Sequence, residues 1–195
     1  MRYLGIVIGD IKTSYALMRE LRRIGITFVL LKEGEALPPH VSAAILSSPS
    51  PSAGLPGRVA YDGSPRRTAL RALSASMGRE RFGQVVIGVD PGDSAGVAVI
   101  ADGELVEAFT VAGGRVWAAV DEILGSYDAA GFVVKLGRGR VDGGIVSRLR
   151  GRGVEVRRVE DVERALPRSY RRKWMRKDAE SALKIALSSK LGDTG

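Results

Sequence analysis

Three apolar runs in the second half of the chain constrain its fold most strongly. They cover residues 84–90, 95–100 and 104–111. Each has the length and composition of a strand, and Asp102-Gly103 between the last two is a dipeptide typical of tight hairpin turns. The elements that the pattern predicts next are a helix at 116–124, a strand at 131–135, a helix at 145–149, a strand at 154–159 and a helix at 178–190. This β-β-β-α-β-α-β-α order predicts an α/β domain.

The first half of the chain is separated from this domain by a run rich in Ser, Pro and Gly, Ser47–Gly57, which predicts a loop. Before it, a β-α-β-β pattern indicates a small α/β domain. Asp10 lies at the start of its helix and either caps that helix or belongs to a site. After the loop, Ser64-Pro65 predicts the start of another helix. The predicted organisation is a small α/β domain at 1–60, a linker and helix at 61–83, and the second domain at 84–195.

Residue usage excludes several kinds of chemistry. The sequence has no cysteine, which excludes disulfides, thiolate metal sites and cysteine nucleophiles. Its single histidine, His40, follows two prolines and is predicted to be an exposed loop residue rather than part of a Ser-His-Asp triad. No signal peptide or membrane span is recognisable, so we expect a cytoplasmic protein with no membrane partner. Carboxylates, lysines and hydroxyls remain as candidate catalytic groups.

Charge is distributed unevenly along the chain. The formal net charge is +8, but residues 82–134 contain eight acidic residues and one basic residue, whereas residues 135–177 contain fifteen basic and five acidic. An acidic segment can hold a cation and a basic surface can hold a polyanion. The distribution favours nucleic acid as the partner, and the alternative is a solvated arginine-rich surface without one.

Two carboxylates stand out as candidate site residues. Asp90 ends the buried strand at 84–90 and precedes Pro91-Gly92, so it is predicted to lie at the strand tips, where sites of α/β sheets form. Asp178 precedes the apolar stripe of the last helix and is predicted to face the sheet. Carboxylates that converge need a cation, and Mg²⁺ is the expected cofactor. Alternatively, Asp178 is a helix N-terminal acid favoured by the helix dipole.

The run 87–98, IGVDPGDSAGVA, and the run 177–186, KDAESALKIA, resemble the RuvC-type Holliday-junction resolvases of the ribonuclease H-like superfamily. The resemblance covers about residues 84–190. It implies a ribonuclease H-like mixed five-stranded sheet with flanking helices, a Mg²⁺- or Mn²⁺-dependent endonuclease activity on nucleic acid and a homodimer. It also implies that Asp90 is the central metal ligand and that Asp178 is a ligand from the last helix.

The chain departs from RuvC at two positions. RuvC has a glutamate where this sequence has Lys135, and a second helical aspartate where it has Ser181. The YqgF-like branch is the closer pattern, because it has an acidic pair after the fifth strand, here Glu160 and Asp161. That resemblance implies a catalytic set of Asp90, Asp161 and Asp178, with Glu160 as a further metal ligand. From the residues alone, the acidic pair also fits a solvated turn.

Basic residues near these acids form the predicted nucleic-acid surface. Lys135 either neutralises the carboxylates or meets phosphate, and the following glycine-arginine loop allows close backbone approach to a phosphate. The stretch 169–177 is the most basic of the chain, and its two rings either stack on bases or pack into the core, with packing favoured. The predicted nucleic-acid-binding residues are Lys135, Arg138, Arg140, Arg171, Arg172, Lys173, Trp174, Arg176 and Lys177.

These features predict a nucleic-acid-binding protein that acts as a Mg²⁺-dependent endonuclease on branched or structured DNA, with DNA favoured over RNA. The second hypothesis is a catalytically inactive nucleic-acid-binding protein on the same fold, with its site eroded at Lys135 and Ser181. The third is a phosphotransferase of the actin and sugar-kinase type, which also has an Asp-x-Gly loop after a strand but needs a duplicated fold.

Overall fold

A computed structural model describes residues 3–47, 57–139, 141–160, 165–170 and 175–188. The chain divides into two compact units. The first contains the residues up to Phe82 together with Ser126–Asp128, and the second contains Gly83–Gly125 and the residues from Ala129 onwards. No helix in the described ranges is both long enough and apolar enough to cross a membrane.

The first unit contains a four-stranded parallel sheet. Its elements are β1 (Tyr3–Val7), α1 (Ile11–Arg23), β2 (Thr27–Leu30), β3 (Val41–Leu46), β4 (Arg58–Ala60) and α2 (Pro65–Ser76). The strand order is β2-β1-β3-β4, and every neighbouring pair is parallel. The two helices pack against each other and against this sheet. Leu17 and Leu21 of α1 and Leu70 and Leu73 of α2 are buried in its core.

Local sequence signals place the helix starts of this unit correctly. Asp10 caps α1 by accepting hydrogen bonds from the backbone N–H of Lys12 and Thr13, as the capping alternative predicts. Ser64 caps α2 in the same way. Two features differ from the predicted organisation. Strand β4 is an additional element, too short to carry a periodic signal, and α2 is a packed part of the first unit rather than of a linker.

The second unit contains a five-stranded mixed sheet with flanking helices, which confirms the α/β class. Its elements are β5 (Phe82–Asp90), β6 (Ser94–Ala101), β7 (Glu104–Ala112), α3 (Val116–Ser126), β8 (Ala129–Leu136), α4 (Gly143–Gly151), β9 (Glu155–Arg158) and α5 (Lys177–Leu187). The strand order is β7-β6-β5-β8-β9. Strand β6 is antiparallel to both its neighbours, and β8 is parallel to β9.

Backbone hydrogen bonds at the two ends of β5 fix the direction of β8. Phe82 N donates to Asp128 O at 3.0 Å, and Gly137 N donates to Val89 O at 2.9 Å. The first bond joins the beginnings of β5 and β8 and the second joins their ends, so the two strands are parallel. The carboxyl ends of β5, β8 and β9 therefore lie at one edge of the sheet, the edge where Asp90 stands.

The β6–β7 hairpin has the predicted turn. Asp102 and Gly103 both have positive φ, 48° and 85°, as a two-residue turn that follows the strand twist requires. The Asp102 carboxylate also accepts hydrogen bonds from the backbone N–H of Gly83 and Gln84. Tyr170 donates its hydroxyl to Gly103 O and packs against the core beneath α5. The structure therefore shows this ring packed against the core, as the favoured alternative predicts.

Candidate active site

Asp90 is the last residue of β5, the central strand of the second sheet, and pairs with Gly96 of β6. Side chains alternate along a strand, so Asp90 faces the same side as Gly88 and Val86. Val86 packs against a cluster of buried residues to which α5 contributes Ala179, Ala182, Leu183 and Ala186, which shows that this side of the sheet is the one α5 covers. Asp90 thus lies at the carboxyl edge of the sheet, on the face that carries the last helix.

Two glycines allow α5 to lie directly on the sheet. A Cβ placed on Gly88 would overlap the carbonyl oxygen of Ala182, and one placed on Gly96 would overlap the carbonyl oxygen of Asp178. Only glycine fits where two backbones approach this closely. The close contact brings the first turn of α5, and with it Asp178 and Ser181, to the end of β5. Sequence reasoning did not assign this role to either glycine, although both lie within the run 87–98.

Each carboxylate of the pair accepts a hydrogen bond from a serine hydroxyl. Ser94 Oγ donates to Asp178 Oδ2 at 2.7 Å, and the Ser181 hydroxyl donates to Asp90. Ser181 follows Asp178 by three residues, so both side chains lie on the same side of α5. These serines orient the two carboxylates and leave further oxygen lone pairs free to bind a ligand. Sequence reasoning noted Ser181 only as a departure and missed Ser94.

Electrostatics at the site oppose ionisation of Asp90. Burial raises the pKa of the Asp90 carboxyl, the hydrogen bond from Ser181 lowers it, and the negative charge of Asp178 raises it, with a net upward shift. A cation placed between the two carboxylates would favour their ionised forms. The electrostatics of the pair therefore favour binding of a cation.

The donor chemistry of this pair fits Mg²⁺ or Mn²⁺, which bind carboxylate oxygens. Within the described ranges, however, no group of three or more His, Cys, Asp or Glu residues is close enough to hold a metal ion. Glu160 is exposed and follows β9 at the same sheet edge as Asp90. Strand β8 separates them, which places their backbones roughly 10 Å apart. Asp161 lies outside the described residues.

In the structure, Lys135 neither neutralises the carboxylate pair nor lies in a phosphate-binding loop, but binds the end of α5. Its Nζ donates to the carbonyl oxygens of Ala186 and Ser188, at 2.8 and 2.7 Å. These carbonyls end α5, where the helix dipole favours a cation. Burial and the charge of Arg157 lower the pKa of Lys135, while Glu155 raises it. Lys135 therefore holds the carboxyl end of the helix whose amino end carries Asp178.

Three of the predicted nucleic-acid-binding residues are exposed around the carboxylate pair. Arg138 follows Gly137, and a Cβ placed on Gly137 would lie 3.4 Å from Asp90 Oδ1. Arg176 and Lys177 precede Asp178 at the amino end of α5. The remaining predicted residues lie outside the described part of the chain: Arg140, Arg171, Arg172, Lys173 and Trp174.

A pocket of about 210 Å³ opens on the loop that follows Asp90. It is lined by Pro91, Gly92, Gly113, Val116 and Trp117. Sequence reasoning assigned no role to Trp117. The sequence signal that could have indicated a role for Trp117 is its position on α3. It lies beside the buried residues Val116, Val120 and Ile123 rather than among them.

No protein-family model matches this chain, and no curated protein matches it. Its function is therefore inferred from the carboxylate pair, the basic residues around it and the fold that positions them.

Proposed function

We propose that the second unit has a ribonuclease H-like fold of the RuvC/YqgF type and acts as a Mg²⁺- or Mn²⁺-dependent endonuclease on branched or structured DNA. The observation that carries the proposal is the Asp90–Asp178 pair. It lies at the end of the central strand, beneath the first turn of the last helix, and each carboxylate is oriented by a serine hydroxyl. A basic surface next to the pair supplies the attraction for a polyanion.

The strand order supports this fold assignment. Three sequential antiparallel strands are followed by two strands added on the other side of β5, in the order β7-β6-β5-β8-β9, and α5 packs across β6 and β7. The resemblance of residues 87–98 and 177–186 to RuvC-type resolvases independently implies a mixed five-stranded sheet with the same two acids at its centre.

In the proposed site, different residues bind the metal ion, orient the carboxylates and attract phosphate. Asp90 and Asp178 would hold the metal ion, together with Asp161 or Glu160. When bound, the ion supplies the positive charge that stabilises a phosphodiester during attack by water. Ser94 and Ser181 fix the rotamers of the carboxylates they contact, and Arg138, Arg176 and Lys177 attract the phosphates that flank the scissile bond.

A second function has its own supporting observation. At the position where RuvC has a glutamate, Lys135 is engaged with the end of α5, and Ser181 replaces the second helical aspartate. Within the described ranges two carboxylates, rather than three, converge. A protein of this fold that binds nucleic acid but does not cleave it would have such an incomplete set of carboxylates.

Cleavage of a labelled substrate panel distinguishes the two functions. The substrates are a four-way junction, a fork, a duplex, single-stranded DNA and a structured RNA, each with Mg²⁺, Mn²⁺ or EDTA. The nuclease requires metal-dependent cutting that is lost in Asp90→Asn and kept in the matched variant Asp121→Asn. Asp121 forms surface ion pairs with Arg148 of α4 and with Arg152, the residue after this helix, and it lies outside the pair.

Binding measurements complete the experiment. Salt-sensitive binding without cutting under any metal would establish the non-catalytic function. Absence of binding to every substrate would mean that the basic residues are a solvated surface, and both functions would be wrong.

A further inference from the structure

We infer that the pocket at Pro91, Gly92, Gly113, Val116 and Trp117 receives one unpaired nucleobase of the bound strand, stacked on the indole of Trp117. This inference rests on the proposed function and extends it, because it names the nucleotide state that the site selects. Pro91 follows Asp90 directly, so one wall of the pocket begins at the residue after this carboxylate.

The size of the pocket suits a single flat ring. Its volume of about 210 Å³ lies below the roughly 300–1,000 Å³ typical of pockets for complete drug-sized ligands. Two of its five lining residues are glycines, so part of its wall is bare backbone. A planar ring can approach such a wall more closely than it can approach a wall of side chains.

The walls of the pocket are held together by the backbone. Gly113 N donates to Asp93 O at 2.7 Å, and a Cβ placed on Gly113 would overlap the carbonyl oxygen of Gly92. The loop after Asp90 and the turn before α3 are therefore in direct backbone contact. The pocket is a fixed part of the second unit and does not depend on the rotamers of long side chains.

Trp117 supplies the stacking surface. It lies in the first turn of α3, and it is half-buried while Val116 and Val120 of the same helix are buried in the core. Burial of these two valines fixes the orientation of α3, so the indole stays at the pocket. Every base has an aromatic face, and stacking on such a ring is therefore tolerant of sequence.

A cation and a helix amino end lie on the α3 side of the pocket, and the exposed Asp93 lies on the side of the loop after Asp90. Arg115 is exposed and immediately precedes α3, and the first turn of α3 contains no acidic side chain. The amino end of a helix is electropositive and attracts phosphate. A ring platform, a cation and a helix amino end together match the base and phosphate of one nucleotide.

A base in this pocket has to leave the duplex stack, which costs least where the strand is already unpaired. The pocket therefore predicts that the site prefers strands with an unpaired nucleotide next to the scissile phosphate. Branched and single-stranded substrates meet this condition, and a continuous duplex does not.

Tryptophan fluorescence tests the contact directly, because the sequence contains only two tryptophans. In a Trp174→Phe background, Trp117 is the sole tryptophan, and its emission is excited at the long-wavelength edge of the indole absorption, where the five tyrosines do not absorb. A single-stranded oligodeoxynucleotide is titrated against it, beside an abasic strand of equal length and beside a free mononucleotide, with binding followed by anisotropy of a labelled strand.

We expect quenching by the strand that carries bases and little quenching by the abasic strand at equal saturation. Equal quenching by both strands, or none by either, would overturn the inference. A free mononucleotide that quenches Trp117 as strongly as the oligonucleotide at the same concentration would overturn the assignment to a strand.

Affinity measurements separate this inference from the proposed function. Trp117→Leu should weaken binding of single-stranded DNA about 5- to 100-fold and leave duplex affinity unchanged, whereas Trp117→Phe should keep most of the affinity. Thermal unfolding of both variants reports whether the fold is intact. If the folded Trp117→Leu variant binds unpaired DNA as the parent does, the stacking inference is wrong. The nuclease proposal would still be decided by Asp90→Asn.

Discussion

Carboxyl groups in the two units have pKa values that are shifted in opposite directions. In the first unit, Asp10 and Asp62 accept backbone N–H groups at helix starts, and the pKa of each carboxyl is lowered. In the second unit, Asp90 accepts a serine hydroxyl beside another carboxylate, and its pKa is raised. A carboxylate that stabilises a fold is held in its charged form. A carboxylate whose surroundings raise its pKa does not stabilise the fold through its charge, and it is therefore a candidate functional residue.

Asp90→Asn should give the largest effect and separate activity from stability. We expect the cleavage rate to fall more than about a hundredfold, because the metal ion loses its central ligand. The folded protein should become no less stable, since the amide carries no charge to desolvate or to repel Asp178. The rate is measured on the preferred substrate, and the melting temperature is measured in EDTA so that metal binding does not contribute.

A clear drop in melting temperature for Asp90→Asn would contradict the comparison between the units. It would place Asp90 with the structural carboxylates of the first unit. Asp178→Asn provides a second test of the pair, because it removes the negative charge that raises the Asp90 pKa.

Gly96→Ala tests whether close helix packing builds the site. The added methyl would overlap the carbonyl oxygen of Asp178, so α5 has to shift away from the sheet. We expect a loss of about 1–3 kcal/mol of unfolding free energy, together with a loss of cleavage. Urea denaturation and the cleavage assay measure the two effects.

Gly125→Ala is the matched control for this variant. A Cβ on Gly125 has no neighbour within 4 Å, and the residue lies inside α3. Alanine is favoured over glycine within a helix, so this change should leave stability equal or higher. If both alanine variants have the same unfolding free energy and the same cleavage rate, then the close contact between α5 and Gly96 does not position Asp178.

Lys135→Met should separate a helix-end role from a phosphate-binding role. The change removes two hydrogen bonds to the carbonyls of Ala186 and Ser188. We expect a loss of about 1 kcal/mol of unfolding free energy, with nucleic-acid affinity and its salt dependence unchanged. Arg138→Ala is the converse control, and it should lower the salt-dependence slope by about 1 without affecting stability. A reduced salt slope in Lys135→Met would instead assign this lysine to phosphate.

Local sequence signals predicted much of this fold. The Asp102-Gly103 hairpin, the helix caps at Asp10 and Ser64, and the apolar stripe of α5 each depend on a few neighbouring residues. For the same reason Asp90 could be placed at a strand tip. These features are local, and short-range propensities fix them.

The contacts that assemble the site could not be predicted, because they join residues far apart in sequence. Ser94 contacts Asp178, 84 residues away in sequence, only because α5 crosses β6 at Gly96, and Lys135 reaches Ala186 across 51 residues. A glycine in a strand and a lysine at a strand end carry no signal of their partners. The pocket at Trp117 was missed for the same reason, since its walls come from two segments of the chain.

Asp62→Ala should have a small effect on the free energy of unfolding, similar to that of Lys135→Met. Its pH dependence should be opposite to that of Asp90, because folding lowers the pKa of Asp62 and raises that of Asp90. Burial raises the pKa of Asp62, but hydrogen bonds from Ser64 N–H, Arg67 and Thr68 outweigh it, so the folded value lies below 3.8. The stabilisation is therefore present above pH 3.8 and disappears as the pH falls through the folded value. Because water screens the exposed ion pair with Arg67, we expect a loss of only about 1 kcal/mol at pH 7.

Urea denaturation of the full chain at pH 7 and near pH 3 measures this difference. The gap between wild type and Asp62→Ala should narrow at the lower pH, because the wild-type carboxyl is then increasingly protonated and its ionic contribution is lost. A gap that stays constant with pH would mean that Asp62 stabilises the first unit through its neutral hydrogen bonds alone. The contrast with Asp90 would then concern what surrounds each carboxyl group rather than which protonation state the fold prefers.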